Sequence, residues 1–566
     1  MSNRSAGVRT KDEVYRLVRA ASGAADSMSI FASQGRRLLV GLMIFVGCAV
    51  IVAAVYRSAP INFLRSDSGW FLHEAHADEE TRRAFEAGFF TQTYNGHYTP
   101  LAFLAELRIG RLLGTAGELW RTRQILALSG VAAVLVWGAR SIGAAFGLSA
   151  LARTAIASLV ASAAVFQPLM LEFIGWPFLF LQLIWMALLI SALYGVVKVA
   201  TSTEKTRWAW IAALTAYASM HATGLGLIAV AAVGSSLFGI LVVCRATSRS
   251  DFADHARGIT AAAGTMLLLA GVHGGAMIAL PDLSGDKGPQ ATVSWSGIAA
   301  MLGFVWHFVT AGARSFLSFA PTLPGSRTIS YCWPQGLLVL TGVVAAIGCA
   351  AQRVFKAQTT PRITQLVLYA FSGGAFFGML ALIAMRATHS ESPGEMISHL
   401  ALYIAVPRYI VLVPFLFVPV IVHLLVLLSQ RCRRITAIAC FAVAVAAPLA
   451  QIGFQNSAYR FVSRAPSLNH SGVWASILNA VRDCRAANLP VPNFPLKALT
   501  VEFEGVTLSE VEPLLRRDLS LRSDESIRFS EWQEYLATEG NNYSHIASVA
   551  RAWKKLDLRA NTPPPE

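Results

Sequence analysis

The sequence concentrates titratable side chains in one short stretch, residues 65–80, which reads RSDSGWFLHEAHADEE. This stretch directly follows an apolar segment, in a chain of 566 residues of which only 14% are charged. Ionisable groups in or beside a hydrocarbon layer are costly and usually mark a functional site. Its first acid, Asp67, also belongs to a residue type that favours helix N-caps. The stretch therefore indicates chemistry at a membrane surface, with helix capping as the alternative role of Asp67.

Five further polar residues interrupt apolar surroundings and are candidates for binding a substrate. His97 stands in YNGHYTP, Glu172 ends an apolar segment, and His221 lies where two short apolar segments meet. Arg408 and Tyr409 stand in AVPRYIVLVP, and a charge that deep in an apolar segment needs a partner. Each candidate has a structural interpretation as well, as a polar helix end, a loop residue or a packed ring.

The composition indicates which elements must position these residues. Hydrophobic residues make up 55% of the chain, whereas a soluble protein would carry roughly a quarter charged residues. Apolar runs of about 18–25 residues recur, long enough to cross a bilayer as helices. The net charge of +15 comes from short Lys and Arg clusters between these runs, which is typical of cytoplasmic loops facing anionic lipid. The chain is therefore predicted to be an all-α polytopic membrane protein, and nucleic acid is not expected as a partner.

We predict a bundle of about eleven transmembrane helices in the inner (cytoplasmic) membrane of the cell envelope. We place the N-terminus in the cytoplasm and the C-terminus outside, because this orientation puts nearly every Lys and Arg cluster on the cytoplasmic side. The first span is interpreted as an uncleaved anchor, because it begins too far into the chain for an ordinary signal peptide. The predicted spans are 38–56, 124–146, 150–171, 175–198, 208–221, 224–243, 258–280, 335–352, 363–385, 402–428 and 434–453.

The chain divides into three predicted parts. Residues 1–37 form a cytoplasmic segment, 38–453 a transmembrane domain, and 454–566 a small external domain of mixed charge. The first external loop of the transmembrane domain covers 57–123.

This first loop is expected to hold two helices lying at the membrane surface. The first is predicted over 68–88, and the second begins after Pro100, a residue that suits the first turn of a helix. The second helix is short and charged enough to lie in the interface instead of spanning the bilayer. Side chains expected to contact lipid headgroups are Trp70, Phe71, Ala75 and Phe85.

The predicted topology brings the candidate residues to one face of the membrane, although they are far apart in sequence. Asp67 and His97 lie in the first external loop, and the other candidates lie at or near outer helix ends. Such a one-sided cluster suggests chemistry at the interface. A transporter would more often place these groups near the midplane, on broken helices in repeated halves.

The order of these features resembles the GT-C superfamily of membrane glycosyltransferases, which includes protein mannosyltransferases and aminoarabinose transferases. One span is followed by an external loop that opens with an acid, by GHYTPL before an interfacial helix, and by RTRQILALSG. YTPL stands where these families often have a His-Pro-Pro-Leu-like run, and PRYIVLVP resembles their late Arg-Tyr span. The resemblance covers about residues 38–425. Many members carry two acids in the first loop, whereas SDSG supplies only Asp67, and the second acid is Glu172.

The resemblance implies an inverting transfer of a sugar from a polyprenyl-phosphate donor to an acceptor that the motifs do not specify. Asp67 would be the general base that deprotonates the acceptor hydroxyl, and the lipid phosphate would leave. We select Arg408 to hold that phosphate, since a guanidinium binds phosphate in bidentate fashion. Because the acids depart from the family pattern, the cofactor stays unknown: a divalent metal is compatible with the sequence but not required by it. The further substrate-binding candidates are Tyr409, Glu172, His97 and His221.

Two other functions are open at this point. A transporter or flippase of a lipid-linked substrate would need charges at mid-span and a pseudo-repeat, and neither is clear in the sequence. An O-antigen ligase or polymerase usually has a large, late external loop with paired arginines. The loop over 386–400, RATHSESPGEMISHL, is short and holds one arginine.

Overall fold

The structure, a computed structural model, describes residues 38–57, 59, 67–94, 97–114, 117–167, 170–247, 250–282, 360–387 and 412–462. Within these ranges the secondary structure is helical, with two isolated β-bridges, Thr93 with Asp282 and Tyr94 with His97. The predicted all-α class is thereby confirmed. The predicted segment 1–37, the span 335–352 and the tail beyond 462 lie outside the described residues.

We number the described helices in chain order. They are α1 Leu38–Tyr56, α2 Asp67–His76, α3 Glu79–Thr91, α4 Pro100–Leu113, α5 Gly117–Ala145, α6 Ala150–Val165, α7 Met170–Gly175, α8 Phe180–Thr201, α9 Lys205–Ala222, α10 Gly226–Thr247, α11 Ser250–Ala279, α12 Thr360–Ala387, α13 Leu412–Arg431 and α14 Arg433–Val462, with a 3₁₀ turn at Pro177–Leu179 between α7 and α8.

Seven of the described helices are long and apolar enough to cross a membrane: α1, α5, α8, α10, α11, α12 and α14. Each corresponds to one of the predicted spans, so the chain is a multi-pass membrane protein. The predicted spans 150–171 and 402–428 correspond to shorter apolar helices, α6 and the Phe415–Arg431 part of α13. The predicted span 208–221 is helical, within α9. The last helix runs on to Val462, past residue 453 where the tail was expected to begin.

Small residues allow two pairs of these helices to approach closely. A Cβ atom added at Gly374 of α12 would lie 2.5 Å from the carbonyl oxygen of Ala231 in α10, and one at Gly378 would lie 2.9 Å from the Ala231 Cβ. A Cβ atom at Gly195 of α8 would lie 2.9 Å from the Ala212 Cβ in α9. Glycines four residues apart commonly build such contacts between membrane helices, because lipid tails are as apolar as the side chains and close backbone packing decides association.

The helices run antiparallel and give the bundle two chemically different ends. At one end, which we call the basic end, the Thr206 Oγ1 lies 3.0 Å from the His255 Nδ1, and Gln430 donates to the Phe146 carbonyl. The other end, the loop end, carries the segment 67–114. Basic side chains at the basic end are Arg153, Lys198, Lys205, Arg207, Arg245, Arg257, Arg362, Arg431 and Arg433.

The connection from α5 to α6 at the basic end is a tight, well-capped turn. Gly147 has φ +72°, and the Leu148 amide donates to the Gly143 carbonyl at 3.0 Å. This pattern is a Schellman motif, which favours glycine because of the positive φ. Ser149 then caps α6 by accepting from the Ala152 amide. The short connection predicted between the spans 124–146 and 150–171 is therefore confirmed.

The first loop holds two helices where one was predicted over 68–88. Asp78 begins a new helix, α3, because its carboxylate accepts from the Thr81 amide at 2.9 Å and from the Thr81 hydroxyl at 2.7 Å. A capping side chain at this position separates α2 from α3. The predicted second helix is confirmed, and it begins at Pro100. We call α2, α3, α4 and the described residues 93, 94, 97 and 98 together the loop layer.

The prediction that Phe71, Ala75 and Phe85 contact lipid headgroups is wrong. They are buried within the loop layer, at 1%, 1% and 9% exposure. Phe71 lies at the centre of an aromatic cluster. The rings are buried there because α2, α3 and α4 pack on one another and on the 3₁₀ turn. Its ring centroid is 5.4–5.7 Å from those of Phe85, Phe89, Tyr94, Phe103 and Phe178. The side chain of Trp70 lies outside the described residues.

Candidate functional site

Asp67 is the first residue of α2, and a buried hydrogen bond fixes this end of the helix. The Phe178 amide donates to the Ser68 Oγ at 2.9 Å, and Ser68 is 2% exposed. The bond holds the beginning of α2 against the 3₁₀ turn that follows α7. Glu172 belongs to α7, which directly precedes this 3₁₀ turn. The same turn therefore links the helix that begins at Asp67 with the helix that contains Glu172.

A second polar contact holds α7 in place. The Gln124 side chain, fully buried in α5, donates to the Phe173 carbonyl at 2.6 Å and to the Trp176 carbonyl at 3.3 Å. The Phe173 carbonyl lies in the last turn of a short helix, where carbonyls have no partner within the helix. The side chains of Asp67 and Glu172, and all of Arg408 and Tyr409, lie outside the described residues. Their predicted roles stay predictions.

Among the described residues, the most buried ion pair of the loop layer is one that sequence reasoning missed. The Arg123 Nη1 donates to both oxygens of Glu106, at 3.0 and 2.9 Å, and the Arg123 Nη2 donates to the Glu106 Oε1 at 3.0 Å. Glu106 is 2% exposed. Burial raises the pKa of the Glu106 carboxyl above its usual value, although the charge and hydrogen bonds of Arg123 oppose that change.

Arg123 joins three parts of the structure at once. Its guanidinium lies 4.6 Å from the Trp120 ring centroid and 4.4 Å from the Phe180 ring centroid, and it also donates to the Pro177 carbonyl. Two ring faces and a fork of hydrogen bonds suit arginine better than lysine. The contact therefore ties α4 to α5 and to the beginning of α8, and it holds the loop layer on the loop end of the bundle.

The sequence did contain a signal for this pair. Glu106 lies on the same helical face as Phe103 and Gly110, at spacings of three and four residues. An acid on an apolar face needs a buried partner, and RTRQ at the beginning of α5 supplies candidate arginines.

The structure brings the two predicted histidines to one place. The Tyr94 amide donates to the His97 carbonyl and the His97 amide to the Tyr94 carbonyl, both at 2.9 Å, around the hairpin-favouring sequence Asn-Gly. The His97 ring then packs directly on Gly224, in the connection between α9 and α10. Any larger residue than glycine at 224 would overlap that ring. His221 lies in the last turn of α9, one turn before this contact.

A third histidine, His273 of α11, joins this group and was not a predicted site residue. Its ring centroid lies 5.0 Å from that of His221 and 5.4 Å from that of Tyr98, and Tyr217 lies 5.0 Å from His221. His273 is 4% exposed. Its signal in the sequence was GVHGG, an imidazole inside a long apolar run, which is the pattern that marks functional groups in membrane helices.

The hairpin that carries His97 is pinned to the end of α11. The Thr93 amide donates to the Pro281 carbonyl at 2.8 Å, and the Thr93 hydroxyl donates to the Asp282 carboxylate at 2.9 Å. The loop layer thus reaches α11 as well as α5. In the part of the chain that the structure describes, no group of three or more His, Cys, Asp or Glu side chains is arranged to hold a metal.

The described site therefore consists of the anchored beginning of α2, the neighbouring α7, and a group of three imidazoles at the same end of the bundle. No family model, curated protein or solved structure matches this chain, so its resemblance to the GT-C superfamily stays a prediction from the motifs.

Proposed function

We propose that the chain is a GT-C-type glycosyltransferase, which moves a sugar from a polyprenyl-phosphate donor to an acceptor at the outer face of the cytoplasmic membrane. One observation carries the proposal: the loop layer is folded onto one end of a membrane bundle and anchored there by buried polar contacts. An enzyme for a lipid-linked sugar needs such a structured surface beside the bilayer, because the lipid tail keeps the reacting carbon at the level of the headgroups.

The Lys and Arg residues of the basic end support the proposed orientation. The basic end carries arginine and lysine at the ends of most described helices, and such clusters favour the cytoplasm. The loop end would then face outward, with the N-terminus of the chain inside and the C-terminus outside.

In the proposed reaction Asp67 is the general base. Its carboxylate accepts the proton of the acceptor hydroxyl while the hydroxyl oxygen attacks the anomeric carbon of the sugar. The bond from that carbon to the phosphate oxygen breaks with inversion, and the phosphate leaves with the bonding electron pair. The carboxylate must come within about 3 Å of the hydroxyl for this step. Arg408 and Tyr409 would bind the departing phosphate, and Glu172 would contact the acceptor.

The test compares the glycans and glycolipids of native cells that lack the gene with those of cells that carry wild type or Asp67→Asn. The amide keeps the shape of the carboxylate but cannot accept the proton, so we expect product to fall at least about a hundredfold. Asp78→Asn is the matched control, because Asp78 is an exposed cap on the neighbouring helix.

Both variants must insert in membranes and elute as the wild-type protein does. Wild-type product levels in Asp67→Asn cells would contradict the proposed base. Transport of a lipid-linked sugar by the reconstituted protein, without sugar transfer, would favour a flippase instead.

A further inference from the structure

The pair formed by His221 and His273 has polar atoms that the fold leaves unused. The His273 Nε2 and the His221 Nδ1 are buried and have no hydrogen-bond partner among the described residues. Buried polar nitrogens without partners are costly, typically by about 1–3 kcal/mol. The ring centroids of the two imidazoles lie 5.0 Å apart, and an unpaired buried polar atom in a native structure calls for an explanation, of which a bound ligand is one.

Among the described residues, the two imidazoles have aromatic neighbours. The rings in contact with the two imidazoles are those of Tyr98 and Tyr217, at centroid distances of 5.4 and 5.0 Å. The rings come from three different elements, the hairpin of the loop layer, the end of α9 and α11. A ligand that reaches these rings would therefore meet the loop layer on one side and the bundle on the other.

The pair lies near the boundary between the hydrocarbon core and the lipid headgroups. The apolar window of α11, Asp254–Ala279, has 26 residues, which is about 39 Å of helix. A bilayer is about 40–45 Å thick with its headgroups, around a hydrocarbon core of about 30 Å. His273 lies about 9 Å before the end of α11, which places it near the boundary of the core.

Imidazole chemistry selects phosphate as the ligand. A neutral imidazole leaves no unpaired charge in the apolar bundle when the site is empty, whereas an arginine or lysine there would. When a phosphate arrives, each imidazole can direct an N–H toward a phosphate oxygen and can carry the compensating positive charge. Hydrogen bonds between charged groups of this kind are about twice as strong as neutral ones.

We infer that His221 and His273 together bind the phosphate group of the lipid carrier, with the two imidazoles donating to its oxygens. This inference rests on the proposed glycosyl transfer for the source of the phosphate, and it assigns to His273 a role in substrate binding. The histidines bind the donor before transfer and hold the lipid phosphate that remains afterwards.

The test measures binding of dodecyl phosphate to the purified full chain in neutral detergent by titration calorimetry. His273→Phe and His221→Phe keep a ring in the cluster and remove the nitrogens. Each should weaken binding about tenfold, the loss expected for one charge-assisted hydrogen bond. His255→Phe is the matched control: it removes an imidazole from the same helix at the basic end, where His255 contacts Thr206, and it should bind as the wild type does.

A second measurement keeps the test independent of small folding defects. The ring ¹⁵N signals of His221 and His273 should move when dodecyl phosphate binds to the wild-type protein, and that of His255 should not. Equal affinity in wild type and both Phe variants, or no binding by the wild type, would overturn the inference. Inorganic phosphate should bind at least tenfold more weakly than dodecyl phosphate, and equal affinity would overturn the assignment to a lipid carrier.

The result separates this inference from the proposed function. Loss of transfer in Asp67→Asn with unchanged dodecyl phosphate binding in the histidine variants would leave the transferase standing and remove the phosphate site. Normal transfer in Asp67→Asn with weakened binding in the histidine variants would remove Asp67 as the base and leave the phosphate site standing.

Discussion

Single buried contacts determine where the loop layer lies. Glu106 and Arg123 illustrate this, because the carboxylate receives three hydrogen bonds from one guanidinium at 2.9–3.0 Å in a nearly inaccessible position. Such a pair contributes little net stability compared with apolar residues of the same size, yet breaking it from one side is expensive. Its value to this protein is that it specifies one arrangement of α4 on α5.

We predict that Arg123→Met lowers the free energy of unfolding by about 3 kcal/mol, because it leaves the Glu106 carboxylate buried without its cation. The double variant Arg123→Met, Glu106→Leu should recover most of that loss, since both charges are then gone. Thermal unfolding in detergent, followed by circular dichroism, measures both. A double variant that is as unstable as the single one would show that Arg123 acts through its ring contacts and not through the ion pair.

At the scale of helices, close contact between the backbones of neighbouring helices holds the bundle together. In α12 the sequence FSGGAFFG presents Gly374 and Gly378 to α10, one turn apart. Gly373 stands beside them on another face, where an added Cβ atom would meet nothing within 4 Å. Two adjacent glycines therefore have different roles, and only the pairing of α12 with α10 distinguishes them.

We predict that Gly374→Ala destabilises the protein by about 1–3 kcal/mol, because the new methyl group would lie 2.5 Å from the carbonyl oxygen of Ala231, a backbone atom that cannot turn aside. Gly373→Ala should be neutral or slightly stabilising, since alanine is the better helix former and the space is open. The melting temperatures of the two variants give the comparison. Equal effects would mean that α10 and α12 do not meet at Gly374.

At the scale of the whole molecule, the bundle has one end covered by the loop layer and one end rich in basic residues. The exposed Cys432, between α13 and α14, marks the basic end. Thr81, exposed in the first turn of α3, marks the loop layer. The proposed function requires these two positions to face opposite sides of the membrane.

We predict that a membrane-impermeant maleimide labels Thr81→Cys in intact cells and leaves Cys432 unlabelled until the cells are opened. Each position is tested as the single cysteine of an otherwise cysteine-free chain. The reason is the excess of arginine and lysine at the end where Cys432 lies, which favours the cytoplasm. Labelling of Cys432 in intact cells would reverse the orientation, and with it the proposal of chemistry at the outer face.

The first loop shows both the reach and the limit of inference from sequence. Pro100 correctly predicts the beginning of α4, because proline is favoured in the first turn of a helix. The break at Asp78 was missed, since the apolar pattern over 68–88 continues across it while the cap is a local side-chain contact. The same pattern suggested lipid contact for Phe71, although the partner that buries Phe71 is an aromatic cluster drawn from five other positions along the chain.

The sequence alone determined that this chain is helical and membrane-embedded, because the length and polarity of each apolar run follow from its own residues. It also located His97 and His221 as unusual groups. Only the tertiary structure decided that Glu106 meets Arg123, that His221 meets His273, and that Gly374 and not Gly373 faces a neighbouring helix. These facts depend on which faces of separate helices touch, and that is a property of the packing between segments, which no single segment encodes.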